Sequence, residues 1–89
     1  MKTPISLQIT YRKDIPFAAY LYLAKPGQKA VRTETVSEDL LVDYASDDTP
    51  LGIEIVSPDL VSIDDILSVT NRLGLGSIEA EELKPLQAA

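Results

Sequence analysis

The sequence predicts an α+β domain: a five-stranded antiparallel β-meander over residues 5–56, followed by one amphipathic helix at 62–73 packed on one face of the sheet. Three observations carry this. Up to Val56, apolar and polar residues alternate in short segments divided by polar turns. Beyond Pro58 the apolar spacing changes to that of a helical stripe. In between, Phe17-Ala18-Ala19-Tyr20-Leu21-Tyr22-Leu23-Ala24 is uncharged in a chain where one residue in four is charged.

Taken in order, Ile5, Leu7, Ile9 and Tyr11 alternate with Ser6, Gln8, Thr10 and Arg12, the two-residue period of a half-buried strand. Residues 12–16 read as a connection, with Pro16 at a strand entrance because it has no N–H for a ladder. In the second strand, Phe17, Ala19, Leu21 and Leu23 share one face; Ala18, Tyr20, Tyr22 and Ala24 share the other. Both faces are apolar, so this strand reads as central and covered twice, yet a short chain offers little to cover it with. Lys25-Pro26-Gly27-Gln28 reads as a type II turn closing a hairpin, Pro26 presetting φ and Gly27 supplying the positive φ that follows. The return strand at 30–36 is more polar. After the turn Ser37-Glu38-Asp39, a fourth strand at 40–45 places Leu40, Val42 and Tyr44 on one face, and after a turn at 46–50 a fifth strand runs over 51–56.

The helix has legible ends. Apolar residues at 63, 66, 67 and 73 make one stripe, Ser62 is placed to cap it, and Asp64 and Asp65 sit in the first turn where the dipole favours anions. Gly74 suits the left-handed position that ends a helix. A short second helix over about 77–83 precedes Pro85, and 75–89 otherwise reads as a tail. Residues 1–89 form a single domain, small enough that burial alone leaves a thin margin of stability and a partner interface would add to it.

Charge is divided along the chain. Residues 1–33 hold six Lys/Arg against one acid, +5, and residues 34–89 hold two against thirteen, −11, which together give the net charge of −6. Oppositely charged strands side by side in one sheet neutralise each other, whereas a nucleic-acid surface would need a basic run interleaved with aromatics and free of an acidic field. The expectation is no nucleic-acid partner. The N-terminal residues show no long apolar stretch and no segment approaches membrane-spanning length, so no membrane partner is expected either. There is no cysteine, which excludes disulfides and thiolate chemistry and agrees with a cytoplasmic protein.

Chemistry is restricted by what is missing. With neither His nor Cys, the commonest general base, the usual transition-metal ligands and the activated thiol are absent, and no cofactor or metal site is expected. Gly74-Leu75-Gly76-Ser77 lacks the third glycine and preceding strand of a dinucleotide site and the lysine of a phosphate loop, so it reads as a cap and linker. Asp47-Asp48 is followed by Thr49-Pro50, where a calcium loop needs further oxygen ligands and a glycine, so it reads as a solvated turn. One carboxylate pair remains. Asp43 and Glu54 lie opposite the main apolar alternation of two strands joined by one turn, and pairing would bring both to one face. Such a pair can serve acid/base chemistry or hold Mg²⁺; it can equally be a solvent-side pair neutralised by Arg32, Lys29 or a partner's base.

As a set, Ile9-Thr10-Tyr11, Ala18-Ala19-Tyr20-Leu21-Tyr22-Leu23, Val42-Asp43-Tyr44 and Leu51-Gly52-Ile53-Glu54-Ile55 resembles the small prokaryotic domain-of-unknown-function family 2283, over about residues 5–56. The resemblance implies a compact β-rich domain and no particular reaction. It also implies acids after the first tyrosine and before the Ala-Ala-Tyr run, where this chain has Arg12 and Phe17.

Two functional classes follow. The first is a non-enzymatic protein-interaction or oligomerisation module, a homodimer in its simplest form, with Ala18, Tyr20, Tyr22 and Ala24 at the interface, because one amphipathic helix covers only one face of the sheet. The second is a small carboxylate-dependent enzyme or divalent-metal-binding protein using Asp43 and Glu54.

Overall fold

The computed structural model of the protein describes residues 6–24, 27–75 and 80–87. Five strands form one antiparallel sheet: β1 (Ser6–Arg12), β2 (Ile15–Tyr22), β3 (Arg32–Ser37), β4 (Leu40–Tyr44) and β5 (Pro50–Ile55). A single-turn 3-10 segment, Pro58–Leu60, leads into the helix α1 (Ile63–Arg72), and a second 3-10 segment spans Ala80–Gln87. The α+β class with its five-stranded antiparallel sheet and one long helix is as the sequence predicts.

The strand order is not that of a meander. It runs β1-β2-β5-β4-β3, so β5 lies between β2 and β4, and β2 never pairs with β3. Burial explains the difference. Leu51, Gly52, Ile53 and Ile55 of β5 are all buried, which suits the middle of a sheet, whereas β3 (RTETVS) has no fully buried residue and takes an edge. The segment after β2 is accordingly a crossover and not a hairpin: Leu23 N–H still bonds Leu51 C=O at 2.9 Å, and Val31 N–H rejoins the sheet on Tyr44 C=O at 2.9 Å. Lys25 and Pro26 of the expected turn lie outside the described residues, while Gly27 does hold a positive φ, 102°.

The first connection is also tighter than its sequence reads. Lys13 and Asp14 alone make the turn, with φ of 53° and 64°, the double positive φ of a two-residue hairpin loop. Ile15 and Pro16 already belong to β2, and a register shift at Thr10/Tyr11 accommodates Pro16 opposite Tyr11.

One face of the sheet is covered. Leu21, Leu23, Leu40, Val42, Ile53 and Ile55 are buried there under Ile66 and Val69 of α1, with Leu7 and Ile9 packed at the margin. Leu83 and Leu86 join the same core, so the C-terminal 3-10 segment adds to the helix layer and leaves the opposite face alone. This segment runs through Pro85, where the sequence suggests a helix ending earlier; residues 77–79 of that expected helix lie outside the described residues. Phe17, assigned by alternation to the core face, is 50% exposed, because β2 pairs with β5 only from Ala19 onward and Phe17 lies past the covered part.

Helix α1 forms where its caps place it. Ser62 Oγ accepts from Asp65 N–H and Asp65 Oδ2 accepts from Ser62 N–H, both at 3.1 Å, a reciprocal pair that stabilises the first turn by about 1 kcal/mol. Gly74, at φ 81°, turns the chain out of the helix, and Gly74 N–H and Leu75 N–H bond the carbonyls of Asn71 and Thr70. Arg72 in the last turn reaches Glu34 Oε1 of β3 at 2.8 Å, the oxygen that also accepts from the Tyr44 hydroxyl at 3.2 Å. The helix is thereby tied to the edge of the sheet.

Candidate functional site

The uncovered face is built from two rows of side chains set by the strand register. One row reads Ser6, Tyr22, Gly52, Asp43, Thr33 from β1 across to β3; the next reads Gln8, Tyr20, Glu54, Leu41, Thr35. Gly52 leaves a gap in the first row, and the Tyr20 ring fills it. A Cβ on Gly52 would collide with the Cε2, Cζ and hydroxyl of Tyr20, so only glycine permits the ring to lie diagonally across β5. At the far side the Tyr20 hydroxyl donates to Asp43 Oδ2 at 2.8 Å, and Thr33 Oγ1 donates to Asp43 Oδ1 at 2.7 Å.

Tyr22 leans the other way. Its hydroxyl donates to Gln8 Oε1 at 3.1 Å, and its ring packs on Tyr20 with centroids 4.7 Å apart and planes tilted by 59°, a favourable offset for two aromatic rings. The two tyrosines are therefore half-buried by each other and by the sheet, with no second layer over them among the described residues. This is how β2 is apolar on both faces without being the central strand. Ala18 and Ala24 on the same face are also half-buried.

Burial raises the pKa of the Tyr20 phenol well above its ordinary 10.0, and its hydrogen bond to Asp43 and the negative charges of Asp43 and Glu54 push the same way. The Tyr44 phenol is raised too, by burial first and then by Glu34. Both stay protonated at neutral pH and act as donors, not as bases or nucleophiles.

Asp43 and Glu54 do share this face, as pairing of β4 with β5 requires. They differ in use. Both oxygens of Asp43 are occupied by hydroxyls, whereas Glu54 is exposed and, among the described residues, makes no hydrogen bond or ion pair. The expected neutralisation by Arg32 does not occur: Arg32 lies over the Tyr44 ring, 4.1 Å from its centroid, and bonds Asp48 Oδ1 at 3.0 Å. Asp47 and Asp48 form the turn that the sequence suggests, with Asp48 at φ 65° and Asp47 accepting from Thr49 N–H; the Thr49 hydroxyl first, and then this N–H, lower the Asp47 pKa. Among the described residues no three His, Cys, Asp or Glu side chains cluster as a metal site would require.

Beside Tyr20 the face dips into a groove of about 180 Å³ lined by Gln8, Thr10, Ala18, Ala19, Tyr20 and Glu54. Thr33, Gln8 and Gly52 escaped the sequence reading of this face. Gly52 alone gave a signal, a glycine inside an alternating strand, which marks close approach by another group. No helix among the described residues is long and apolar enough to cross a membrane.

No curated protein and no solved structure shows a match to the chain. The model of the family described as "Protein of unknown function (DUF2283)" matches residues 18–57, from Ala18 in β2 to just past β5, so β1, with Gln8 and Thr10, lies outside the matched segment. Tyr20, Thr33, Asp43, Gly52 and Glu54 all fall inside it, and it is over this segment, which carries most of the tyrosine face, that the chain is similar to DUF2283.

Proposed function

We propose that this domain works by association and not by catalysis, as a homotypic interaction module that pairs through the open face of its sheet, in the simplest case as a twofold dimer. The observation that carries this reading is the one-sided layering. Helix α1, Leu83 and Leu86 lie on one face, and the other keeps a packed Tyr20–Tyr22 pair between Ala18 and Ala24 with no helix layered over it among the described residues. Aromatic rings bordered by small residues are favoured at the centres of interfaces, and rings already fixed by Gly52, Asp43 and Gln8 lose little entropy when covered. A twofold axis would cover the same patch on both copies. A cytoplasmic setting suits a chain without cysteine.

The second reading, a carboxylate-dependent enzyme or divalent-metal protein, rests on Asp43 and Glu54 sharing a face. It is the weaker one, because Asp43 already has both oxygens engaged and Tyr20 beside it is a poor proton acceptor. Light scattering of the wild type and of Tyr20→Asp tests the first reading, and a divalent-metal titration followed by thermal unfolding tests the second.

A further inference from the structure

Several of the most solvent-exposed apolar side chains lie away from the tyrosine face. Three sit on the arm formed by β1 and β2, where Tyr11, Ile15 and Phe17 are 51, 62 and 50% exposed. Ile15, Pro16 and Ala18 pair with β1 and not with β5, and Phe17 is left unpaired at the register shift, so the hairpin tip projects past the rest of the sheet. Its turn residues, Lys13 and Asp14, hold positive φ without being glycine, which costs about 1 kcal/mol each and gives an abrupt, well-defined tip. Arg12 lies over the Phe17 ring, 4.5 Å from its centroid. Among the described residues neither Arg12 nor Lys13 is in an ion pair, so the tip presents apolar side chains together with two unpaired cations and one acid, Asp14, a net positive charge.

A cleft of opposite character lies between the β3–β4 turn and the start of α1. Its volume is about 290 Å³; Leu40, Leu60 and Val69 supply apolar walls, Asp39 and Asp65 supply carboxylates, and no Lys or Arg lines it. Leu60 is 69% exposed, the largest value among the described apolar residues of its size. The register also fixes where tip and cleft stand. Ala19 faces Ile55, and Ile55 faces Leu40, so the tip beyond Ala19 and the turn before Leu40 are at the same end of the sheet, on opposite sides of it.

We propose that the hairpin tip of one copy docks into this cleft of a second copy, Ile15 and Phe17 against its apolar walls and Arg12 and Lys13 against Asp39 and Asp65. Because donor and acceptor are at one end of the molecule, a twofold axis there lets each copy give a tip and receive one, and the contact closes instead of propagating. Charge complementarity selects the occupant: the acidic cleft repels most of this acidic chain and attracts this basic, apolar projection. The contact uses none of Ala18, Tyr20, Tyr22 and Ala24, so variants at those residues test it apart from the association proposed above. Copies using both contacts would form an assembly larger than a dimer, with two kinds of twofold interface.

Sedimentation velocity from about 1 to 100 μM tests this, a range that suits a small interface. The wild type is expected to show a concentration-dependent doubling of mass that Arg12→Glu/Lys13→Glu and Asp39→Lys each weaken by about tenfold or more, since a reversed charge repels where the original attracted. Mixing the two variants should restore it in part, because an unchanged tip then meets an unchanged acidic cleft and the reversed tip meets the cation introduced by Asp39→Lys. A separate variant, Ile15→Asn, at an exposed position, should weaken it without changing charge. Mass that is indifferent to charge reversal, or loss that mixing does not rescue, would overturn the proposal. An association abolished by Tyr20→Asp but untouched by the charge variants would overturn it while supporting the tyrosine face.

Discussion

Tyr20 lies where a side chain on Gly52 would be: the ring crosses β5 over the glycine Cα and delivers its hydroxyl to Asp43 on the next strand. This single crossing joins three strands, β2, β5 and β4, on the face that no helix covers, and it turns three separate sequence features into one arrangement. Gly52→Ala is expected to displace the ring and cost about 1–3 kcal/mol, the usual range for overpacking. Urea unfolding measures it. In the Tyr20→Ala background the same substitution should cost much less, because the clash is with the ring itself.

The alkaline limb of stability should report Tyr20. Its folded pKa is raised above the unfolded value near 10.0, so the folded form holds its proton where the unfolded form has lost it. The resulting stabilisation is full below pH 10 and declines as pH rises above it. Thermal melts between pH 8 and 11 should show a steeper fall for the wild type than for Tyr20→Phe; equal slopes would mean that the phenol is not held by burial and Asp43.

Glu54 is exposed and unpaired among the described residues, so Glu54→Gln should change stability by about 1 kcal/mol or less. Mg²⁺ or Ca²⁺ should leave the melting temperature of both forms unchanged. A metal-dependent rise in the wild type that vanishes in the variant would transfer support to the carboxylate reading.

Gly27 sits at φ 102° in the crossover from β2 to β3, with open space where a Cβ would be. Gly27→Val should therefore destabilise through backbone strain alone, by about 1–3 kcal/mol, since β-branched residues resist positive φ. Chemical denaturation checks this; an unchanged midpoint would mean that the crossover adapts.

The parts of the fold legible in the sequence are those fixed locally. Ser62, Asp65 and Gly74 mark the ends of α1 because capping depends on residues a turn apart. Strand order is not local. The alternation of β5 resembles that of β4, and only the contrast between buried Leu51–Ile53 and polar β3 shows which belongs inside. The uncharged run at 17–24 suggests a second covering layer, whereas the tyrosines achieve their burial by folding onto Gly52 and each other. That Asp43 and Glu54 share a face follows from pairing alone, but that Asp43 is engaged by Tyr20 and Thr33 requires the register of three strands.

Association through the open face is tested most directly by light scattering at about 10 μM, well above the dissociation constant of an interface of standard size. The expected result is a particle of at least two 9.7 kDa chains whose mass halves on Tyr20→Asp. A wild-type particle of 9.7 kDa, or a dimer indifferent to Tyr20→Asp, would contradict it.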